Sequence, residues 1–251
     1  MIFESNSLFH NNPTNQNHCL ELSVIIPTFN ERENIALLVN RLHNALKNVY
    51  WEALFIDDNS PDGTAQFIRE ISQQDNRIRC IRRIGRRGLA GACLEGILAS
   101  HARYIAIMDA DLQHDETKLL PMLEQLRSHT IDLIVATRYA LGGNATSFSP
   151  FRSYISRCST AMTQLFLGVT LSDPMSGFFM IRRDIVDNMA SSLSTQGFKI
   201  LLDVITTSKD TLRIAEIPFS FGKRKHGESK FSLRIALNFV SLLIKKLIKR
   251  L

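Results

Sequence analysis

The sequence predicts an α/β domain built on a mostly parallel, twisted sheet flanked by helices. Three observations predict it. Short apolar runs alternate with helical repeats across residues 21–138, the pattern of successive right-handed βαβ units. The runs are apolar along their length, as in strands covered on both faces. Polar clusters follow the first, second and fourth runs directly, which puts them at the carboxyl ends of the strands, where open α/β sheets bind ligands.

Each element has its own reason. Leu22–Ile26 reads as a buried strand stopped by Pro27. Ile35, Leu38, Val39, Leu42 and Leu46 then recur at helical spacing. Ala53–Ile56 is a second strand, and Asp62 caps a helix carrying Phe67, Ile68 and Ile71. Ile78–Ile81 is a third strand, followed by a glycine-bearing helix near Leu89–Ser100 and a fourth strand at Tyr104–Met108. Pro121 starts the next helix, and Ile131–Ala136 is a fifth strand. Beyond Arg138 the rhythm changes. A loop at Gly142–Pro150 leads to a helix near Arg152–Leu167, the segment DPMSGF, and a strand at Phe179–Ile181. Helix near Phe198–Thr206, a strand at Leu212–Ile217, a basic loop at 218–230 and a last helix at 231–250 complete the chain. No linker separates a second folding unit. Residues 21–230 therefore read as one domain, with a disordered arm at 1–20 and a basic amphipathic helix at 231–251.

The 251 residues are 45% hydrophobic and 22% charged, enough to bury a core, which excludes a disordered or disulfide-stapled chain. The net charge of +6 has a location. Lys230, Arg234, Lys245, Lys246, Lys249 and Arg250 fall in a tail without acids, and the rest is balanced. That balance speaks against nucleic acid and for an anionic membrane surface facing the C-terminus. Cys19, Cys80, Cys93 and Cys158 lack metal or redox spacing, as in a reducing compartment. Glu4 and an asparagine-rich run replace the basic and apolar regions of a signal peptide. The charge-free stretch Ile235–Ile244 is far shorter than the roughly 18–20 residues of a span.

Chemistry concentrates at three strand ends. After the fourth strand, DADLQH sets Asp109 and Asp111 on one face of an extended end, with Gln113 following in a turn. Two carboxylates and an amide oxygen are hard ligands suited to Mg²⁺ or Mn²⁺ bridging to a substrate phosphate; a helix cap is the ordinary alternative. Asp57 and Asp58 end the second strand, where an acid accepts hydrogen bonds from a ribose or base, or else caps the SPDG turn. The first turn offers Pro27, Asn30 and Glu31, the last equally suited to a helix start. P-loop and dinucleotide fingerprints are absent. Arg138, Arg152, Arg224 and Lys230 are candidate phosphate contacts, with Gly227 and Ser229 favouring a phosphate-covering loop over a solvated surface. Arg87 and Gly88 open a helix whose N-terminus can face an anion. His114 reads as solvent-exposed at a helix start.

VIIPTFNERENI (24–35), IDDNSPDGT (56–64), RRGLAGA (86–92), MDADLQHD (108–115), TRYALGG (137–143), DPMSGFF (173–179) and RKHGESK (224–230) occur in this order. Together they resemble the family 2 glycosyltransferases of GT-A fold, and within them the dolichol/polyprenyl-phosphate mannosyltransferases. The resemblance implies a metal-dependent, inverting transfer of a sugar, mannose from GDP-mannose, onto a polyprenyl or dolichyl phosphate. Pro27, Phe29, Asn30, Glu31 and Asp58 would recognise the nucleotide. Asp109, Asp111 and Gln113 would hold a divalent metal. Arg138, Arg152, Arg224 and Lys230 would address the donor and acceptor phosphates, and Asp173 would lie near the sugar. Asp111, Arg138 and Asp173 are thus the expected catalytic set, with Arg87 beside the nucleotide. A UDP-sugar donor remains the rival within the fold, and a silent nucleotide-binding scaffold the rival outside it. Larger relatives carry transmembrane helices after this domain. Here the tail from Phe231 reads instead as an in-plane anchor on the cytoplasmic leaflet, or as a helix docked on the core. A small membrane partner or self-association would assist the anchor.

Overall fold

The computed structural model describes residues 19–139, 171–194, 200–208 and 211–222. The arm before residue 19, the helix expected near Arg152–Leu167, the loop residues 223–230 and the C-terminal helix lie outside the described residues. Arg152, Arg224 and Lys230 fall there too.

Seven strands form one sheet: β1 (Leu22–Thr28), β2 (Trp51–Asp57), β3 (Ile78–Arg82), β4 (Tyr104–Ile107), β5 (Leu133–Thr137), β6 (Phe179–Arg182) and β7 (Ile214–Pro218). Their order is β3-β2-β1-β4-β6-β5-β7. β1 pairs in parallel with both β2 and β4. The chain thus builds outward from β1 to β3, then returns to β1's other side. The crevice between β1 and β4 is the topological switch point.

Helices cover both faces. α1 (Arg32–Ala45), α2 (Thr64–Ser72) and α4 (Leu119–Arg127) pack on one, where Ile35, Leu38, Leu42, Ile68 and Leu123 meet Val24, Ile26 and Phe55. α3 (Leu89–Ala99), α5 (Arg183–Met189) and α6 (Ile200–Thr207) cover the other, where Cys93, Ile97, Val186 and Leu202 meet Ile25, Leu54 and Ile107. Successive β1 residues alternate between the two cores, the period-2 signature of a strand. Each fully buried leucine or phenylalanine contributes about 1.5–3 kcal/mol relative to exposure. Gly96 lets α3 approach: a Cβ there would lie 2.3 Å from Ile25 Cγ2.

Four details differ from expectation. Pro27 does not stop β1; it pairs opposite Ile56, and the strand runs to Thr28. Thr28 C=O accepts from Asp58 N–H on the β2 side, and Ile25 C=O accepts from Met108 N–H on the β4 side. By alternation, the nitrogen of Pro27 faces β4, whose pairing has ended at Ile107, so no ladder bond is lost. α4 starts at Leu119, before Pro121, after a single 3₁₀ turn at Glu116–Lys118 capped by Asp115, which accepts from Thr117 N–H. The proline still sits in the first turn, where its missing N–H has no partner to lose. β6 runs antiparallel to β4 and β5. α5 follows β6 without a loop and is too short to show a helical period. Among the described residues, no helix is long and apolar enough to cross a membrane.

Candidate active site

Loops at the carboxyl ends of the strands form the site, and hydrogen bonds splice them together. After β1, Asn30 takes a positive φ of 57° and its N–H donates to Ser60 Oγ at 2.9 Å. Glu31 N–H donates to Thr64 Oγ1, and Arg32 N–H to Asp62 Oδ2. Glu31's carboxylate accepts from Asn34 Nδ2 at 2.8 Å, the contact of a helix-start acid. The loops after β1 and β2 therefore hold one shape together.

The two aspartates ending β2 have different surroundings. Asp57 is fully buried and accepts from the N–H and hydroxyl of Ser60 and from Thr28 Oγ1. It is the turn cap. Asp58 faces the start of α3, accepting from Gly88 N–H at 2.8 Å and from Arg83 Nη1. Arg83, only 4% exposed, also donates to Glu95 Oε1 and Gly88 C=O. Arg87 lies with its guanidinium carbon 4.8 Å from the Phe29 ring centre. Phe29, Asp58, Arg87 and the N-terminus of α3 thus share one corner. Arg83, which sequence reasoning did not single out, is its buried fastener.

Asp62 gives this corner a pH dependence. Burial acts to raise its carboxyl pKa, but hydrogen bonds from the hydroxyl and N–H of Thr64 and from Arg32 N–H outweigh it and hold it below the usual range. A depressed folded-state pKa adds stability above the unfolded value of about 3.9 and loses it as pH falls through the folded value. Asp62→Asn should therefore lower Tm at neutral pH, with the gap to wild type shrinking as pH falls below the unfolded value of about 3.9. Thermal unfolding at neutral pH and below that value checks this, and an equal gap at both would remove Asp62 from the account.

Beyond β4, the backbone turns through Leu112 at a φ of 62°. Asp109 has a side chain 41% exposed. Asp111 is nearly buried and accepts from Gln113 N–H at 3.1 Å. Gln113 and Gly222 exchange two hydrogen bonds: Gln113 Nε2 donates to Gly222 C=O at 3.0 Å, and Gly222 N–H to Gln113 C=O at 2.8 Å. A carbonyl can only accept, so Nε2 is the end engaged with Gly222 and Oε1 is the end turned away from it. A Cβ on Gly222 would lie 3.2 Å from Leu112 C=O, so any side chain there would strain the clasp.

The donor set fits a divalent metal. Two carboxylates and one amide oxygen form an open, hard-oxygen set, and no cluster of three or more His, Cys, Asp or Glu side chains able to hold a metal occurs among the described residues. Such a set suits an ion that keeps positions for water and substrate phosphate. A Cβ on Gly177 would come within 3.4 Å of Asp109 Oδ2, so DPMSGF passes directly against the first carboxylate.

The third wall comes from β5 and the loop entering β6. Ser176 Oγ donates to Ala136 C=O, and Ala136 N–H donates to Phe178 C=O. DPMSGF is thereby fastened at the carboxyl end of β5, and β6 must run back down the sheet. Arg138 and Asp173 are not separate groups. The guanidinium makes a bidentate pair with the fully buried carboxylate at 2.7 and 2.9 Å. Burial acts to lower the arginine pKa, but the Asp173 hydrogen bonds and charge outweigh it, so the side chain stays cationic. Its guanidinium carbon also lies 5.4 Å from the Phe221 ring centre.

His114 departs from the exposed position expected of it. It is 4% exposed, stacked on Phe178 with centres 5.1 Å apart and edge-on to Phe219 and Phe221. These rings join the loop at residues 109–114 to Arg138, whose guanidinium lies over Phe221. The sequence signal was three phenylalanines at 178, 219 and 221, whose meeting no local pattern reveals.

The seven-stranded sheet, with its loops gathered at the carboxyl ends of the strands, has the GT-A glycosyltransferase architecture. Residues 23–189 match the family model described as Glycosyl transferase family 2, and the chain belongs to that family. A dolichol-phosphate mannosyltransferase of Saccharomyces cerevisiae is 34% identical over 233 residues, 89% of this chain and 86% of that one. A second, of Pyrococcus furiosus, is 35% identical over 84% of this chain, which spans only 59% of that protein. A polyprenol monophosphomannose synthase of Mycolicibacterium smegmatis is 31% identical, with 83% and 80% covered. Among solved structures, glucosyl-3-phosphoglycerate synthase from Mycobacterium tuberculosis with Mn²⁺, UDP-glucose and phosphoglyceric acid superposes with a TM-score of 0.65. The identity is 18%, with 90% of this chain and 79% of that one covered, a likeness of fold.

Proposed function

We propose that the protein transfers mannose from GDP-mannose to a polyprenyl or dolichyl phosphate, inverting the anomeric centre. The observation that carries the reading is the convergence of Asp109, Asp111 and Gln113 with DPMSGF and the Arg138–Asp173 pair at one end of the sheet. The similarity to mannosyltransferases of this lipid class supports it.

Phe29, Asn30, Glu31, Asp58 and Arg87, with Pro27 within the last pairs of the strand beneath them, form the nucleotide corner. Asp109, Asp111 and Gln113 hold Mg²⁺ or Mn²⁺, which supplies charge neutralisation to the departing diphosphate. Arg138 adds a permanent cation beside it, aimed by Asp173. The acceptor is a phosphate monoester with a second pKa of about 6, ionised at neutral pH. One of its oxygens attacks the anomeric carbon, the bond to the diphosphate breaks, and GDP leaves. No side chain has to remove a proton, so Asp173 serves by position. Arg152, Arg224 and Lys230 complete the phosphate contacts in this reading. A peripheral place at a membrane interface belongs to it as well, supported by the tail of cations without acids.

The test is transfer from radiolabelled donors to a short-chain polyprenyl phosphate with Mn²⁺ or Mg²⁺ present. Mannolipid formed from GDP-mannose and lost with a chelator is expected. Transfer from UDP-glucose instead would replace the donor, and no transfer from any donor would leave a nucleotide-binding scaffold.

A further inference from the structure

We propose that His114 is a positioning residue that sets the direction of the metal-binding carboxylate of Asp109; this rests on the reading of Asp109, Asp111 and Gln113 as the metal ligands.

Four observations carry it. Asp109 N–H donates to His114 Nδ1 at 3.0 Å. A backbone N–H can only donate, so Nδ1 presents a lone pair, and the imidazole is held as the Nε2–H tautomer. Nε2 then faces Asp109 Oδ2 at 3.8 Å, beyond hydrogen-bond reach but on the carboxylate's inner side. The ring itself has little freedom: it is 4% exposed, stacked 15° from parallel on Phe178, and met edge-on by Phe219 and Phe221. Those phenylalanines also pack against one another. Beside both the carboxylate and the imidazole, Gly177 leaves space that a Cβ would fill, 3.4 Å from Oδ2 and 3.6 Å from His114 Cε1.

The imidazole therefore bridges the backbone of the first ligand and the back of its carboxylate. It bends residues 109–114 into a loop closed from inside. Without that acceptor the Asp109 N–H turns toward solvent or another oxygen, the peptide plane rotates, and the carboxylate swings from the side shared with Asp111. Groups that orient ligands in this way typically change metal affinity about 10–100-fold when replaced.

Two substitutions separate positioning from packing. His114→Phe keeps an aromatic ring among the three phenylalanines but removes the acceptor. His114→Asn places an amide oxygen near the position of Nδ1 but removes the ring. Mn²⁺ binding to the GDP complex of the 251-residue chain is measured by electron paramagnetic resonance, with Tm measured in parallel. The expected pattern is crossed: the phenylalanine variant is the more stable but binds Mn²⁺ about 10–100-fold more weakly than wild type, whereas the less stable asparagine variant recovers most of the affinity. Affinity that follows stability, or a phenylalanine variant within twofold of wild type, would overturn the proposal. Wild-type protein that binds no Mn²⁺ with GDP would overturn the metal reading itself, and the role of His114 with it; that failure appears before any substitution at His114.

Discussion

Asp111→Ala is expected to abolish sugar transfer, with a loss of at least about 10²–10³-fold. That is the usual cost of one group that stabilises developing charge, and here the truncation also weakens the hold on the ion. Asp111 is nearly buried and accepts from Gln113 N–H. The alanine variant therefore loosens the turn that presents Gln113, whereas Asp111→Asn keeps an acceptor for that N–H and removes only the charge. Both variants should lose transfer. The alanine variant alone should also show faster amide exchange at Gln113. Activity within tenfold of wild type, with a divalent cation still required, would exclude Asp111 as a ligand. GDP affinity without metal should change little, since Phe29, Asp58 and Arg87 stand on other loops.

Asp173→Ala has the largest expected effect on stability. It leaves the Arg138 guanidinium, with a side chain 11% exposed, without its bidentate partner. An uncompensated buried charge typically costs about 3–5 kcal/mol, or a fall in Tm on the order of 10 °C for a domain of this size. Asp173→Asn keeps one acceptor and should cost less. The paired change Arg138→Met with Asp173→Leu, which removes both charges, should restore much of the stability but not the transfer. A double-mutant cycle on thermal unfolding reads the coupling directly. Independence of the two positions would mean that their geometry reflects proximity alone.

How much of this could be read from the chain depends on range. β1, β2 and β4 were legible because an apolar run followed by a polar cluster is a local pattern, and the polar clusters fell at the switch point as sheet topology requires. Direction is not local. The run Phe179–Ile181 announces a strand, but its antiparallel direction follows from where the preceding loop is tied to the end of β5, by Ser176 to Ala136 C=O and by Ala136 N–H to Phe178 C=O. The same limit separates Asp57 from Asp58. They are adjacent and identical in chemistry, and what divides them is Ser60 on one side and Arg83 on the other. His114 was misjudged because its burial comes from phenylalanines 64 or more positions away, and Arg138 and Asp173 were read singly because their contact spans 35 positions. Asp109, Asp111 and Gln113 were singled out by their spacing alone. What packs against them was not, because it comes from His114 among distant phenylalanines and from Gly177 and Gly222, whose contribution is the side chain they lack.

The double hydrogen bond between Gln113 and Gly222 decides from which rim the polypeptide departs. β1 begins at Leu22 on the opposite rim, one strand length or about 23 Å away at roughly 3.3 Å per residue. The two ends of the described body therefore behave as unlike handles. Cargo fused ahead of β1 hangs from the idle rim and leaves the reacting rim clear. Gly222 itself lies beside the loop that carries Asp109 and Asp111. For immobilisation on a sensor surface, attachment ahead of β1 presents the reacting loops outward, and attachment just after residue 222 presses them against the support.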